Sequence, residues 1–429
     1  MSSGPPARYP PLMRPAIFYG WVVVAVTAIV VLLIAGVRSA PGAFLLSMTQ
    51  EPGWSTSSVS FAAAVGLVVF GLAGPMSGWL MGRIGVRNVV IVSLVVTGLS
   101  SLASSTVREI WQLTLLFGLA SGFGTGLIAS VLAPTVATRW FQRHRGLVTG
   151  VLGASSSAGQ LVFFPLLTSI AVIAGWRTGA IVLGVLALGL LLPVLLFVRD
   201  DPAQVGVRPL GQEGGEIVPV RRPDPRVMRR AVRTSDFWFL AGTFFVCGAT
   251  SNGLVGQHFI PHAVDHGFTQ VAAGSALALM GFFNFVGTVA SGWFTDRWDP
   301  RRLLLVYYSF RGVSLLFLPF IHDAMTIAAF AILFGLDYIA TVPPTVALVA
   351  DRFGKHNVGV VYGWVFAAHM FGAAIAAWVA GVVRENVGDY AAAFVAAGWI
   401  AIIAGFAALG IRRTTTDMPT RTAAGAAAT

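Results

Sequence analysis

Long apolar stretches recur along the whole chain, and they constrain the fold more than any other feature. Each is close to or above the 20 or so residues that an α-helix needs to cross a bilayer, and each is apolar on all faces. Hydrophobic residues make up 56% of the chain and charged residues 10%, against about 25% charged in a soluble domain. We therefore predict an all-α, polytopic membrane protein. The twelve predicted spans are 17–46, 57–81, 88–106, 110–137, 146–173, 177–198, 237–260, 272–295, 302–320, 326–350, 359–382 and 391–411.

The basic residues lie almost entirely on one side of these spans. With the N-terminus inside, all but five of the 28 Lys and Arg residues fall in cytoplasmic segments, as the positive-inside rule requires. This distribution accounts for the net charge of +11 without a nucleic-acid partner, and none is expected. We predict a multi-pass protein of the bacterial inner membrane, surrounded by the lipid bilayer, with both termini in the cytoplasm. No cleavable signal peptide is expected, because the first apolar run is too long.

A segment rich in Pro, Gly and Arg, residues 199–236, separates six spans from six. It lacks apolar periodicity and is interpreted as a cytoplasmic linker. The predicted organisation is an N-terminal tail (1–16), an N-terminal six-helix bundle (17–198), this linker, a C-terminal six-helix bundle (237–413) and a cytoplasmic tail (414–429).

The two halves repeat each other in sequence. Gly78–Arg83 follows span 2 and Gly292–Arg297 follows span 8, about 214 residues later. Arg139-Trp-Phe after span 4 and Arg352-Phe-Gly after span 10 have nearly the same separation. Both copies fall on the same side of the membrane, as parallel repeats require. The prediction is two six-helix pseudo-repeat bundles.

These features resemble the major facilitator superfamily of transporters over essentially the whole chain. The resemblance rests on the six-plus-six spans, the basic linker and a GxxxDRxGRR-type loop after spans 2 and 8. It implies alternating access, in which two bundles rock about a midplane site lined mainly by spans 1, 4, 7 and 10. It also implies a gating loop, with Gly82 standing where the first copy normally has an Asp. The candidate gating residues are Asp296, Arg297 and Arg83.

Three further stretches are similar to bacterial porters of the monocarboxylate and oxalate/formate type. They are Phe18-Tyr-Gly-Trp21, Gly53-Trp54-Ser55, and Arg139-Trp-Phe followed by Arg145–Gly150. The chain departs from that type in span 8, where Asn284 and Thr288 stand in place of an Asp and an Arg, and it lacks the acidic residue often found before the first Gly-Trp motif. Asn284 is a candidate substrate contact.

Arg38 lies in the outer half of span 1. A guanidinium binds a carboxylate through two parallel hydrogen bonds, and span 1 lines the cavity in the family, so Arg38 is a candidate anion-binding residue. The alternative is an arginine whose side chain reaches the outer headgroups, because the span ends about nine residues later.

Span 10 contains Asp337, the one acidic residue deep inside an apolar span, at a cost of roughly 2.5–3.5 kcal/mol. Arg311 in the neighbouring span 9 lies at a depth that differs by roughly 6 Å. Two interpretations are open: a structural ion pair, or a coupling pair in which Asp337 takes up a proton. Tyr338 is a candidate substrate contact, and Pro343-Pro344 should bend the helix and free carbonyl groups.

Several polar residues in later spans have two interpretations each. His369 in span 11 is a candidate proton-coupling residue or a neutral histidine packed between helices. Gln257 and His258, near the outer end of span 7, are candidate substrate contacts at the mouth of the cavity or ordinary interfacial residues. The remaining histidines of this region are expected in outer loops without metal-ligand spacing, so no metal site is predicted: His262, His266 and His322.

No enzymatic or cofactor chemistry is predicted. The one cysteine, Cys247, excludes an internal disulfide and any CxxC site. The one lysine, Lys355, does not belong to a phosphate-binding GxxxxGK[ST] loop, which argues against transport driven by ATP within this chain. No loop holds a nucleophile–base pair, so the protein is not expected to be an enzyme.

The predicted function is secondary transport of a small organic anion, such as a monocarboxylate, by a monomer coupled to protons or to a counter-anion. Arg38 would be the primary anion contact, and Asp337 with Arg311 the coupling pair. An efflux pump for amphipathic compounds is the alternative within the same class. A non-transporting membrane sensor is an alternative from another class, although the linker leaves no room for a signalling domain.

Overall fold

The computed structural model describes residues 18–129, 132–141, 144–211, 224, 226–354 and 357–412. Both predicted terminal tails and the middle of the predicted linker lie outside the described residues, as do Arg143, Lys355 and His356. The described part is almost entirely helical, with one isolated backbone bridge between Phe141 and Leu210.

Eleven helices of the described chain are long and apolar enough to cross a membrane. One of them, Leu147–Phe197, has 51 residues, more than twice the length that a bilayer requires. Gly175 interrupts it with φ 79° and ψ 159°, a backbone conformation that favours glycine, so this stretch is two spans joined by a tight turn. The prediction of an all-α protein with twelve membrane helices is confirmed.

We number these helices α1–α12 in the order of the predicted spans. Their bounds are α1 Tyr19–Met48, α2 Thr56–Ile84, α3 Val86–Ser104, α4 Ile110–Trp140, α5 145–174, α6 176–197, α7 Ser235–Asp265, α8 Gln270–Thr295, α9 Pro300–Phe320, α10 Ala324–Phe353, α11 Val358–Val387 and α12 Ala391–Ala408.

Polar caps just outside the apolar stretches explain where several helices begin. The Ser55 hydroxyl accepts a hydrogen bond from the Ser58 amide before α2, and the Thr269 hydroxyl accepts one from the Ala272 amide before α8. The Asp323 carboxylate accepts bonds from two amides at the start of α10. Such caps satisfy amides that have no partner within the helix.

The two halves repeat each other in their contacts as well as in their sequence. In the first half, the Ser77 hydroxyl of α2 donates to the Leu127 carbonyl of α4. In the second half, Ser291 of α8 donates to the Ala340 carbonyl of α10 at 2.6 Å. The residues of the two bonds are separated by the same interval of about 214 residues that relates the sequence motifs. The pseudo-repeat therefore extends to individual hydrogen bonds.

Three helices that the resemblance assigns to the cavity are irregular, α4 in its first third and α7 and α10 near their middles. α4 contains a π-helical turn at Thr114–Ala120, and α7 contains one at Ala249–Val255. α10 opens at residues 338–341 and resumes at Val342, with Pro343 in its first turn, a position that tolerates proline. Such irregular turns are frequent at functional sites.

The bundles touch on one side of the molecule and separate on the other. We call the ends that bear Arg83, Arg297 and Arg352 the basic side. On the opposite side the Ser57 amide of α2 donates to the Glu385 carboxylate of α11 at 2.8 Å. At the basic-side ends of α2, α5, α8 and α11 several glycines face open space: Gly82, Gly150, Gly153, Gly292 and Gly359. The described bundles are therefore in contact on the opposite side, and the glycines at the basic-side helix ends have no atom within 4 Å.

Candidate functional site

A cavity lies between the bundles, bordered by α1, α2, α4, α5, α7 and α10. Its volume of about 60 Å³ holds roughly four to six water molecules. One part of its wall is aromatic. The polar part consists of Arg38, Ser39, Ser121, Thr125, Gln160, Asn252, Gln257 and Tyr338.

Arg38 is the charged residue of this wall, and no acidic residue lies among the described residues that line the cavity. Its guanidinium carbon lies 4.5 Å from the centre of the Phe70 ring, a cation–π contact. Within the described residues Arg38 forms no hydrogen bond and no ion pair. Its fork of N–H donors, which suits a carboxylate, is therefore available to a molecule in the cavity.

Tyr338 and Asn252 form a second polar group in the wall. The Tyr338 hydroxyl donates to Asn252 Oδ1 at 3.2 Å, and Tyr338 lies close enough to Arg38 to interact with it electrostatically. Asn252 Nδ2 lies 3.2 Å from His369 Nε2, and His369 Nδ1 lies 3.1 Å from the Phe244 carbonyl oxygen. The cavity wall is thus connected to His369, which does not itself line the cavity.

These contacts specify which ring nitrogen of His369 carries the proton. The Phe244 carbonyl can only accept, so His369 carries its proton on Nδ1, and its Nε2 accepts from Asn252. This bond orients the Asn252 amide, with its oxygen toward Tyr338. One N–H of the amide then remains without a partner among the described residues, and can donate to a ligand.

The sequence reasoning did not single out Asn252, although a signal for it exists. The interval of about 214 residues that relates the two halves also relates Asn252 to Arg38. It relates Gly42 of α1 to Gly256 of α7, and these two contact each other: a methyl group at Gly42 would lie 2.2 Å from the Gly256 carbonyl oxygen. Arg38 and Asn252 are therefore equivalent positions of two helices that meet at the centre.

Arg311 and Asp337 form a buried ion pair away from the cavity wall. Arg311 Nε lies 2.6 Å from Asp337 Oδ2, and the two side chains are 0% and 2% exposed. The remaining guanidinium donors are also used. Nη2 donates to the carbonyls of Asp337 and Tyr338 at 2.7 and 3.1 Å, and Nη1 lies 2.9 Å from Cys247 Sγ and 3.3 Å from Thr250 Oγ1.

This pair stabilises the opening in α10. Where the helix opens at 338–341, its regular hydrogen bonds are interrupted, and Arg311 Nη2 donates to the Asp337 and Tyr338 carbonyls. The Asp337 carbonyl also accepts from the Ala340 amide. Ser291 supplies a third donor, to Ala340. Asp337 Oδ1 is buried without a hydrogen-bond partner in the described chain, so this oxygen can take a proton while Oδ2 stays on Arg311.

Several sequence-based expectations for individual residues are wrong in their placement. Asn284 faces α5, with its Nδ2 atom 3.4 Å from the Ser157 hydroxyl, because α8 packs on α5 rather than on the cavity. His258 is buried within the second bundle, 2.7 Å from the Ala377 carbonyl, and is not at a mouth. His262 is not in a loop: it lies in α7 and is 1% exposed. Gln257 does line the cavity.

The two gating-loop arginines have matching environments. Arg83 lies over the Trp79 ring at 4.5 Å and Arg297 over the Trp293 ring at 4.0 Å, so each stacks on a tryptophan one helical turn earlier. Asp296 forms no ion pair with any described residue. Their role in gating stays a prediction.

No group of three or more His, Cys, Asp or Glu residues in the described ranges is arranged to hold a metal ion. The site consists of one free guanidinium, an oriented amide and phenol, and aromatic rings, between two repeated bundles. This fold and site define a membrane protein of the transporter class.

Comparison with known proteins agrees with that class. The sequence profile of the Major Facilitator Superfamily matches residues 27–340 and 259–428, so the chain belongs to this superfamily of transporters. It is 28% identical to mouse monocarboxylate transporter 11, over 92% of this chain and 88% of that protein. It is 23% identical to an uncharacterised MFS-type transporter of Bacillus subtilis, YcxA, over 86% and 90%.

Among solved structures, the fold is similar to that of a D-xylose–proton symporter. The TM-score is 0.72 at 17% identity, with 92% of this chain and 98% of that chain covered. At this identity the likeness concerns the fold alone. The predicted superfamily and the predicted likeness to monocarboxylate porters are both confirmed.

Proposed function

We propose that this protein is a secondary transporter of a small organic monoanion, a monocarboxylate by its chemistry, that works by alternating access. The observation that carries the proposal is Arg38: a half-buried cation in the wall of the cavity, without a hydrogen bond or ion pair to any described residue. A cation partly withdrawn from water without a counter-charge is costly, and a bound carboxylate would reduce that cost through two hydrogen bonds.

The rest of the cavity wall supports a singly charged substrate with a polar group next to its carboxylate. The wall contains one cation and, among its described residues, no acid. It therefore balances one negative charge on the substrate. The free N–H of Asn252 can donate to a hydroxyl or keto oxygen, and the Tyr338 oxygen can accept from a hydroxyl. Phe70, Phe117 and Phe164 offer apolar surface to a short carbon chain. The names of the relatives, monocarboxylate transporters among them, agree with this substrate class.

Coupling is proposed to involve protons, with exchange against a counter-anion as the alternative. Asp337 is the proposed proton site, because its Oδ1 is buried without a partner among the described residues and its neighbour Tyr338 reaches into the cavity wall. Arg311 holds the other oxygen in either protonation state. A proton on Asp337 would leave Arg311 with a net positive charge near the cavity, which favours an anion there.

The proposed setting is a bacterial inner membrane, with both termini in the cytoplasm and the protein acting as a monomer. The arginine-rich loops support this orientation. With the basic side inward, the described bundles are in contact on the side away from the cytoplasm. In the proposed cycle the substrate leaves or enters on the cytoplasmic side, and the bundles then close there and open on the other.

The test is uptake of labelled lactate, pyruvate, formate and oxalate into proteoliposomes, with and without an imposed pH gradient. We expect saturable uptake of lactate or pyruvate that exceeds uptake of the dianion oxalate, because one guanidinium balances one charge. Absence of uptake and of exchange for every acid would contradict the proposal.

The aromatic part of the wall favours efflux of amphipathic compounds as a second candidate function. That function predicts that deletion of the protein makes cells susceptible to such compounds and that Arg38→Gln leaves this transport unchanged.

A further inference from the structure

A groove lies on the surface of the second bundle near the basic side, between the beginning of α7 and the first half of α11. Its volume is about 450 Å³, within the roughly 300–1,000 Å³ of clefts that hold small molecules. Three alanines that are buried or half-buried line it together with three exposed aromatic rings: Ala241, Ala367, Ala368, Trp238, Trp364 and Phe371. The small side chains leave a depression between the rings.

The groove faces the bilayer rather than the space between the bundles. Phe371 is followed at intervals of four residues by Ile375 and Val379, which share its face of α11 and are 51% and 45% exposed. This exposed face continues toward the opposite side, where α11 contacts α2. A face that pointed at the other bundle would be buried there. The groove therefore lies on the side of α11 that meets lipid.

The length of the groove corresponds to one leaflet. α11 begins at Val358, and Phe371 lies roughly 20 Å further along the helix axis at 1.5 Å per residue. This is about half of the 40–45 Å thickness of a bilayer with its headgroups. Trp238 and Trp364 lie within the first two turns of their helices, the headgroup level at which tryptophan is common.

Basic residues stand at the basic-side end of the groove. The short helix Val227–Ala231 precedes α7, and its Arg229 lines the groove. Arg233 follows four residues later, and both side chains are exposed. The Trp238 indole N–H donates to the Val232 carbonyl at 2.9 Å, which holds this segment against the start of α7. We call Arg229 and Arg233 the groove arginines.

Two acidic residues flank the groove arginines in sequence, and both already have a cationic partner. Asp224 pairs with Arg230. Asp236 is buried and accepts a hydrogen bond from Arg352 Nε at 2.9 Å. The side chains of the groove arginines form no hydrogen bond or ion pair with any residue that the structure describes. Two positive charges beside an apolar groove complement a molecule with an anionic head and a hydrocarbon tail.

We propose that this groove binds an anionic phospholipid of the leaflet on the basic side. The groove arginines contact its phosphate group, to which a guanidinium presents a fork of donors, and one acyl chain lies along the alanines between the aromatic rings. Basic segments next to a membrane helix attract anionic lipids, and the groove adds a binding place for the chain. The inference does not depend on the transported solute, so it and the proposed function can fail separately.

The test is native mass spectrometry of the purified full chain in a non-ionic detergent, titrated with phosphatidylglycerol. Phosphatidylcholine with the same acyl chains is titrated in parallel, and inorganic phosphate is added in excess as a competitor. We expect phosphatidylglycerol to bind at least about tenfold more tightly than phosphatidylcholine, because its net charge is negative. Inorganic phosphate should not displace it, because phosphate has no chain to occupy the groove.

Three variants make the result specific. The double variant Arg229→Gln/Arg233→Gln should weaken binding of phosphatidylglycerol about 25-fold, roughly fivefold for each arginine near the membrane surface, with little change for phosphatidylcholine. The matched control Arg208→Gln/Arg302→Gln removes the same charge from exposed positions outside the groove and should bind as the parent does. Ala368→Phe fills the groove and should weaken binding of both lipids alike.

Three results would overturn the proposal. The first is equal affinity of the parent and the double variant of the groove arginines for phosphatidylglycerol. The second is displacement of the lipid by inorganic phosphate, which would indicate an ionic site without a chain-binding groove. The third is a dimer that forms without lipid and is lost in Ala368→Phe, which would assign the groove to a second copy of the chain.

Discussion

Arg38 and Arg311 are both arginines within membrane helices, and their surroundings are opposite. Arg311 is 0% exposed and uses its donors on a carboxylate, three carbonyls, a thiol and a hydroxyl. Arg38 faces a cavity with its guanidinium over the Phe70 ring, and it forms no hydrogen bond or ion pair with any described residue. A guanidinium whose donors are all used stabilises the fold, and one whose donors are free can bind a ligand. Intramembrane position alone does not distinguish these roles.

Replacing Arg311 tests the structural half of this comparison and should have the largest effect. Arg311→Gln leaves Asp337 buried without its cation and removes the side-chain donor of the Tyr338 carbonyl, at a cost of about 3–5 kcal/mol. We expect little folded protein in detergent by size-exclusion chromatography. Arg311→Lys should fail similarly, since a point charge cannot reach the same acceptors. Well-folded Arg311→Gln protein with normal transport would contradict the structural role.

Replacing Asp337 should separate folding from coupling. In Asp337→Asn the amide oxygen still accepts from Arg311 Nε, so we expect folded protein at a cost of about 1–3 kcal/mol. Exchange of labelled substrate between the two sides should persist, while accumulation driven by a pH gradient should be lost. Both activities are measured in one proteoliposome preparation. Proton-driven accumulation at the parent level would exclude Asp337 as the coupling site.

Replacing Asn252 tests the ligand-binding half of this comparison and should have a smaller effect. Asn252→Ala should raise KM for the transported acid by up to about tenfold, the value of one neutral hydrogen bond. His369 positions Asn252 rather than touching the substrate, so His369→Leu should raise KM less. The double variant should then be no worse than Asn252→Ala, because the two residues act through one contact. Additive effects would show that His369 acts independently.

The smallest effect is expected at an ion pair on the opposite-side surface, which extends the comparison to a third arginine. The Arg177 guanidinium donates to Glu51 and holds the pKa of that carboxyl below its usual range. Because the pKa of Glu51 is lower in the folded protein, its charge stabilises the fold at pH values above the ordinary pKa of glutamate. This stabilisation is lost as the pH falls through the lowered pKa. At 36% and 25% exposure, Glu51→Gln should cost about 0.5 kcal/mol near neutral pH.

Thermal denaturation in detergent checks this prediction. The difference in Tm between parent and Glu51→Gln should shrink toward zero as the pH falls through the lowered pKa of Glu51, because the protonated parent then lacks the charge as the variant does. A difference that stays constant with pH would show that the ion pair is not its cause.

The fold could be predicted largely from the sequence, and the site only in part. Spans follow from length and hydropathy, and the Arg311–Asp337 pair followed from counting residues back from the turn between two antiparallel helices. Rotation about a helix axis is different. The spans are apolar on nearly every face, so no periodicity showed that His258 and Asn284 point away from the cavity while Asn252 points into it. The π-helical turn of α7 also shifts its register, which no spacing rule anticipates.

The central claim is that Arg38 is the anchor for the substrate, and calorimetric binding to purified protein tests it most directly. Lactate and pyruvate are titrated into the parent, Arg38→Gln, Arg38→Lys and the control Arg177→Gln, whose arginine lies outside the cavity. We predict that Arg38→Gln loses binding by at least about a hundredfold, the worth of a bidentate charged contact. Arg38→Lys should retain part of it, and Arg177→Gln all of it. Equal affinity of the parent and Arg38→Gln for the acid would contradict the account.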